Sequence, residues 1–124
     1  IVLPGADVDR VAPILFRSAF RNAGQVCIAT KRLYVHDSLY ARLFEALAAL
    51  AAAAVVGDGR APGITMGPLA TAGQKAHVER LAADARAAGA RIVAGTAPAG
   101  PGHFLPPALV DDPAEESAVV QEEQ

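Results

Sequence analysis

The sequence has little of several residue types, and each scarcity excludes a class of protein. It contains one cysteine in 124 residues, so no disulfide framework can form and a reducing compartment is favoured. Its 11 basic and 13 acidic side chains leave a net charge of −2, which offers no attraction to nucleic acid or to an anionic membrane. The alanine-rich run 46–56 is too short to span a bilayer. We therefore expect a cytoplasmic protein that binds neither nucleic acid nor membrane.

Clusters of metal ligands are also missing. The histidines His36, His77 and His103 are far apart, and none has a cysteine or carboxylate at zinc spacing. The glycines of loop 60–69 are not followed by the Gly-Lys-Ser/Thr ending of a phosphate-binding loop. We expect no bound metal, and no phosphate cradle in this loop.

Neither end of the sequence has the features of a natural terminus. The chain opens without methionine inside an apolar, strand-like run, Ile1–Pro4, and it closes on Gln121–Gln124. No basic segment precedes an apolar stretch, so we expect no signal peptide. With 52% hydrophobic and 19% charged residues the composition is globular. These features predict a fragment of a longer folded chain, truncated at both ends.

Hydrophobic periodicity predicts helices alternating with short strands. The first helix follows an Asp7 cap and ends near Asn22 or Gly24, with Pro13 expected to kink it or to delay its start. Further helices are expected over 39–56, capped by Ser38, and over 74–88. Strands are expected over 31–36 and 91–95.

The only cysteine, Cys27, follows the first predicted helix and lies close to Gly24. A thiol at the end of a helix and beside a glycine can meet a bound substrate while staying shielded from bulk water. The commoner role of a lone cysteine is that of a small buried hydrophobic residue. Spacing alone leaves both interpretations open.

The residues around this cysteine resemble a known family. Phe20-Arg21-Asn22-Ala23-Gly24-Gln25-Val26-Cys27, followed by Ala29 and Arg32, is similar to the active-site cysteine segment of the aldehyde dehydrogenase superfamily, Phe-x-Asn-x-Gly-Gln-x-Cys. Gly67-Pro68-Leu69 and the run 103–110 resemble later segments of that family. The ending Glu122-Glu123-Gln124 resembles the start of its Glu-Glu-x-Phe-Gly-Pro motif. The resemblance covers essentially the whole chain.

The resemblance implies a fold and an assembly. Residues 1–124 would be part of the three-layer α/β catalytic domain, with a mostly parallel sheet flanked by helices and with the nucleotide-binding domain largely absent. The intact protein would be a homodimer or homotetramer. It would oxidise an aldehyde to a carboxylic acid with NAD or NADP.

The resemblance also assigns roles to residues of this sequence. Cys27 would be the nucleophile, and its backbone N–H would be one oxyanion donor. Glu123 would bind the ribose hydroxyls of the cofactor, and the apolar Phe16, Val26 and Ile28 would line the substrate tunnel, favouring an uncharged aldehyde. The general-base glutamate and a second oxyanion donor would lie outside the chain, so the isolated chain is expected to be inactive.

Two other functions remain open on the residues alone. A cysteine hydrolase or acyltransferase would need His36 or His77 within hydrogen-bonding reach of Cys27. A non-catalytic α/β scaffold would have Cys27 as an inert core residue, resistant to alkylation.

Overall fold

The computed structural model describes residues 1–124, and helices dominate it. Four α-helices, a 3₁₀ turn and two strands follow one another along the chain. In order they are α1 (Val8–Phe20), the 3₁₀ turn Arg21–Gly24, α2 (Asp37–Ala53), α3 (Ala72–Ala87), β1 (Arg91–Ala94), β2 (Ala108–Asp111) and α4 (Ala118–Gln121). No helix is long and apolar enough to cross a membrane.

Helix α1 begins at Val8 and runs through Pro13 without a break in its assignment. The Asp7 carboxylate caps it, accepting hydrogen bonds from the backbone N–H groups of Asp9 (3.1 Å) and Arg10 (3.4 Å). The predicted late start is therefore wrong. Pro13 cannot donate to the Asp9 carbonyl, but both residues are exposed, so water can bind that carbonyl.

Helix α2 is capped by a residue other than the one predicted. The His36 Nδ1 atom accepts a hydrogen bond from the Ser38 N–H at 3.2 Å, so His36 and not Ser38 is the N-cap. The helix ends at Ala53, earlier than predicted, because the chain turns extended there and Val56 forms a parallel bridge with Met66.

The core lies between α1 and α2. Its buried side chains come from the start of the chain and from the facing stripes of the two helices: Val2, Val8, Ala12, Leu43 and Leu47. Within each helix these residues lie four apart, which places them on one face of the helix. This packing fixes the end of α1, from which the cysteine segment starts.

The two strands pair antiparallel, whereas a mostly parallel sheet was expected. β1 and β2 form an antiparallel pair, because the connection 95–107 reverses the chain between them. Parallel pairing is limited to two isolated bridges, Val2 with Val35 and Val56 with Met66. The strand predicted over 31–36 is present only as the bridge at Val35, since residues 31–34 have no strand beside them to complete a ladder.

Candidate active site

The segment between α1 and the cysteine has an unusual backbone. Asn22 (φ 52°), Ala23 (φ 54°) and Gly24 (φ 78°) all lie in the left-handed region. This region costs most residues with a Cβ atom about 1 to 2 kcal/mol, so Ala23 stores strain that contacts elsewhere must offset, whereas asparagine tolerates it and the Asn22 side chain donates to the Gln25 carbonyl at 3.3 Å. The positive φ makes glycine the favoured residue at position 24, and a Cβ there would lie 2.9 Å from the Lys31 Nζ atom, so the ammonium group would have to shift.

Cys27 lies at the tip of the turn that follows. The Ala29 N–H donates to the Val26 carbonyl at 2.8 Å, which makes Cys27 and Ile28 the two central residues of a β-turn. The thiol is exposed and has no hydrogen-bond partner in the chain. The backbone N–H groups of Val26, Cys27 and Ile28 also donate to nothing in the chain. A carbonyl carbon could meet the sulfur here while the Cys27 N–H binds its oxygen.

Helix α1 also binds the residues that follow this turn. The Ser18 and Thr30 hydroxyls lie 2.7 Å apart, and the Thr30 N–H donates to the Ser18 carbonyl at 3.2 Å. The chain leaving Cys27 therefore returns to the helix from which it came.

The Gln25 side chain ties the turn to a second loop. Its amide oxygen accepts from the Ala70 N–H at 2.7 Å, and its amide nitrogen donates to the carbonyls of Asn22 (3.0 Å) and Pro68 (3.4 Å). One amide thus connects the cysteine turn with the Gly-Pro-Leu loop, two of the sequence segments that carried the resemblance.

Lys31 and Arg32 tie the segment after the turn to the end of the chain. The Lys31 Nζ atom donates to the carbonyls of Gly24 and Gln124, each at 2.9 Å. The Arg32 guanidinium donates to the Val120 carbonyl at 2.9 Å. Burial lowers the pKa of the Lys31 ammonium, and the negative charge of Glu123 acts in the opposite direction.

The residues before and at Glu123 are held by helix α3. The Arg80 guanidinium donates to the Glu122 carboxylate at 2.6 Å, and the His77 Nε2 atom lies 2.7 Å from the Glu123 carbonyl oxygen. Arg80 also approaches the His77 Nδ1 atom at 3.3 Å. Because arginine only donates, this contact suits the tautomer in which Nδ1 accepts and Nε2 donates to the Glu123 carbonyl.

The Glu123 carboxylate has no partner in the chain, like the exposed carboxylates of Asp37 and Glu45, but the backbone that carries it is held. It is exposed and makes no hydrogen bond or ion pair, whereas its backbone carbonyl and both neighbouring residues are held by other side chains. A carboxylate with free lone pairs on a held backbone segment is suited to accept hydrogen bonds from the hydroxyl groups of a ligand. No group of three or more histidine, cysteine or acidic side chains comes together as a metal site.

The three predicted substrate-binding residues are separated. Val26 is half-buried and Ile28 is 80% exposed, and they lie on either side of Cys27. Phe16 packs against the core and against Phe20, with 4.8 Å between the ring centroids.

A cavity of about 440 Å³ lies on another side of the cysteine segment. Gly24, Gln25, Lys31 and Gln124 line it, but Cys27 and the three predicted substrate residues do not. The cavity is therefore not the place where a carbonyl would meet the thiol, in spite of its size.

The two histidines proposed for a hydrolase are engaged elsewhere. His36 Nδ1 lies 2.9 Å from the Ser38 hydroxyl, His77 bonds the Glu123 carbonyl, and neither is hydrogen-bonded to Cys27. The exposed thiol also differs from the inert core residue that a scaffold would have. Neither alternative gains support.

This α/β unit presents its only cysteine, exposed, at the tip of a β-turn that follows a backbone segment in the left-handed region. Such a thiol has the accessibility that a covalent nucleophile requires. The sequence model of the aldehyde dehydrogenase family matches residues 1–124, and the chain belongs to that family. The predicted family and the α/β fold class are thereby confirmed.

Individual relatives agree with this assignment. The chain is 45% identical over 124 residues to a probable aldehyde dehydrogenase from a Pseudomonas species, covering 99% of this chain and 25% of the relative. It is 42% identical over 116 residues to GabD, the NADP(+) succinate-semialdehyde dehydrogenase of Escherichia coli K12, covering 92% and 24%. The NAD+ complex of an aldehyde dehydrogenase from Bacillus cereus matches with a TM-score of 0.89 at 27% identity, covering 96% and 24%. The chain spans about a quarter of the length of these proteins.

Proposed function

We propose that these 124 residues carry the nucleophile of an enzyme that oxidises an aldehyde to a carboxylic acid with NAD or NADP. The observation that carries the proposal is the position of Cys27, exposed at the tip of a turn in which the N–H groups of Val26, Cys27 and Ile28 have no partner. Family membership over the whole chain supports the same chemistry.

The residues of the turn would act in the following order. The Cys27 thiolate attacks the carbonyl carbon, a carbon–sulfur bond forms, and the electron pair of the C=O bond moves onto oxygen. The free Cys27 N–H stabilises that oxyanion as it develops. NAD or NADP, when bound, supplies the acceptor for the hydride that leaves this carbon. Cys27 then holds the acyl group as a thioester, which water hydrolyses to the acid with a base from outside residues 1–124.

Glu123 is the residue of this chain that fits the cofactor. Its carboxylate is free, and the segment around it is held by Lys31, His77 and Arg80, so it could accept hydrogen bonds from ribose hydroxyls without rearrangement. The name of the E. coli relative specifies NADP(+), and the Bacillus cereus structure contains NAD+. The proposal therefore includes both nucleotides.

The substrate proposed is an uncharged aldehyde, because the side chains next to the thiol, Val26 and Ile28, are apolar. Phe16 is the third proposed contact. The test compares aliphatic aldehydes with succinate semialdehyde, the substrate named for GabD. A higher kcat/KM for the aliphatic aldehydes supports the proposal, and a higher value for the anionic one overturns it.

The whole protein is required for turnover. We propose a cytoplasmic homodimer or homotetramer in which residues 1–124 form part of the catalytic domain, since an exposed reactive thiol stays reduced in the cytoplasm. The isolated chain should form neither acid nor NADH, because this account places the deacylating base outside it. Acid formation by the purified 124-residue chain would contradict this account.

Cys27→Ser in the whole protein tests the central role. Loss of the nucleophile should abolish acid formation while nucleotide binding persists, because Glu123 and its supports are unchanged. Glu123→Gln should instead weaken nucleotide binding and leave the nucleophile in place, so it should raise the KM for the nucleotide more than it lowers kcat. Retention of full activity by Cys27→Ser would exclude the proposed mechanism.

A further inference from the structure

We propose that Lys31 is a positioning residue that holds the Cys27 turn and the Glu123 segment together, so that nucleotide binding at one and thiol reactivity at the other are coupled. The inference rests on the proposed function for the identity of the ligand at Glu123. The tether itself follows from the geometry of this chain alone.

The ammonium group of Lys31 bridges two segments that are far apart in sequence. It donates to the Gly24 carbonyl, on the approach to Cys27, and to the Gln124 carbonyl, directly after Glu123, both at 2.9 Å. A lysine ammonium has three protons and accepts nothing, so two carbonyls and one remaining proton suit it. The negative charge of Glu123 lies close enough to affect the Lys31 pKa but forms no direct ion pair with it.

Gly24 and Lys31 fit each other. A Cβ at Gly24 would lie 2.9 Å from the Lys31 Nζ atom, so the absence of a side chain makes the space that the ammonium uses. Gly24 is also buried, and its carbonyl follows Asn22 and the strained residue Ala23. The charged donor therefore binds the part of the turn that most needs a restraint.

No other side chain makes the same connection. Arg32 reaches the Val120 carbonyl but does not bond the residues before Cys27, and Gln25 bonds Pro68 and Ala70 instead of the end of the chain. Lys31 is the one side chain that bonds both the residues before Cys27 and the end of the chain. A ligand that binds Glu123 and shifts its segment would thus affect the cysteine turn through Lys31.

The test uses the whole protein with Lys31→Met, and with Lys31→Arg as the conservative replacement. Lys75→Met is the matched control, since Lys75 is paired only with Glu79 on α3. The first measurement is the rate of alkylation of Cys27 by iodoacetamide, without nucleotide and with saturating NAD+. The ratio of the two rates measures the coupling.

We expect NAD+ to change the alkylation rate about fivefold or more in the unaltered protein and in Lys75→Met. In Lys31→Met the ratio should fall toward one, because the link from Gly24 to Gln124 is lost while the bond from Arg32 to Val120 remains, and Lys31→Arg should restore part of it. Equal ratios in Lys31→Met and Lys75→Met would overturn the proposal.

The second measurement needs no nucleotide. Hydrogen exchange of peptides covering 20–30 and 116–124 should rise in both segments in Lys31→Met and in neither in Lys75→Met. A rise in one segment only would overturn the tether. If Lys31→Met misfolds, Lys31→Gln replaces it, since its shorter side chain can bond at most one of the two carbonyls.

The two measurements separate this inference from the proposed function. A protein that neither binds NAD+ nor forms acid refutes the proposed function, while hydrogen exchange still decides whether Lys31 connects the segments. An active enzyme whose Lys31→Met variant keeps the full coupling refutes the inference alone.

Discussion

At the scale of single residues, the backbone before Cys27 decides where the thiol lies. Asn22, Ala23 and Gly24 follow one another in the left-handed region, which turns the chain sharply at the end of α1. Side chains from other parts of the fold, above all Gln25 and Lys31, then hold this conformation in place. The exposed cysteine is a product of this strained approach and its restraints.

Gly24→Ala tests the need for glycine at this point. We expect the variant to lose about 1 to 2 kcal/mol of unfolding free energy, because its φ of +78° is unfavourable for alanine and its Cβ would displace Lys31. Urea denaturation measures the loss. Gly59→Ala is the control, since Gly59 has open space around it and no positive φ, and it should change the stability little. Equal stability of the two variants would contradict the argument.

Gln25→Glu tests the connection between the cysteine turn and the Gly-Pro-Leu loop. The substitution keeps the acceptor for the Ala70 N–H but places a second oxygen against the carbonyls of Asn22 and Pro68. The Pro68 carbonyl then loses its donor, whereas the Asn22 carbonyl keeps the Gln25 backbone N–H at 3.1 Å. We expect a loss of about 1 to 3 kcal/mol from the repelling and unpaired acceptors. Gln74→Glu carries the same change of charge in the first turn of α3, where an acidic residue is tolerated, and should be near neutral. If both variants unfold at the same urea concentration, the bridge has no energetic role.

At the scale of elements, a polar cluster joins α2 to the antiparallel pair. The Tyr40 hydroxyl donates to the Asp111 carboxylate at 2.6 Å, and Arg91 approaches the same carboxylate at 3.2 Å while lying over the Phe44 ring. Burial and the bond to Asp111 raise the pKa of Tyr40 to about 12. The neutral phenol is thus the form that the fold stabilises.

This shift predicts a loss of stability at high pH. Because the folded pKa lies above the ordinary value of about 10, the contribution of Tyr40 is complete below pH 10 and is lost as the pH rises from 10 to about 12. Tyr40→Phe should remove that dependence. Urea unfolding between pH 8 and 12 measures it as the difference between the protein and the variant, with Tyr34→Phe as the control. A Tyr40→Phe curve parallel to that of the unaltered protein would refute the assignment.

The helices and strands also show which features of the fold the sequence pattern predicts correctly. The stripes of α1 and α2 were predicted because each helix repeats its apolar residues every three or four positions and buries them against the other. The caps and ends were less accurate, since the ring of His36 outcompetes Ser38 as the cap of α2. The strand over 31–36 failed because a strand exists only with a paired neighbour, which the residues of the strand do not specify.

At the scale of the whole molecule, the sequence identified the cysteine segment but not the contacts that support it. Cys27 and Glu123 could be proposed because each lies in a short sequence motif that resembles one of the family. The Lys31 bridge joins carbonyls of Gly24 and Gln124, and no local pattern reports a contact between such distant parts of the chain. The apolar cavity could likewise not be predicted from the sequence, because residues of several helices, strands and loops line it.

The most direct test of the account is to trap the covalent intermediate. The whole protein is mixed with an aliphatic aldehyde and NAD+, quenched in acid within one turnover, and mapped by peptide mass spectrometry. The account predicts an acyl group on the peptide that contains Cys27, and none in Cys27→Ser. An active enzyme with its acyl group on another residue, or one that forms acid at an undiminished rate in Cys27→Ser, would contradict it.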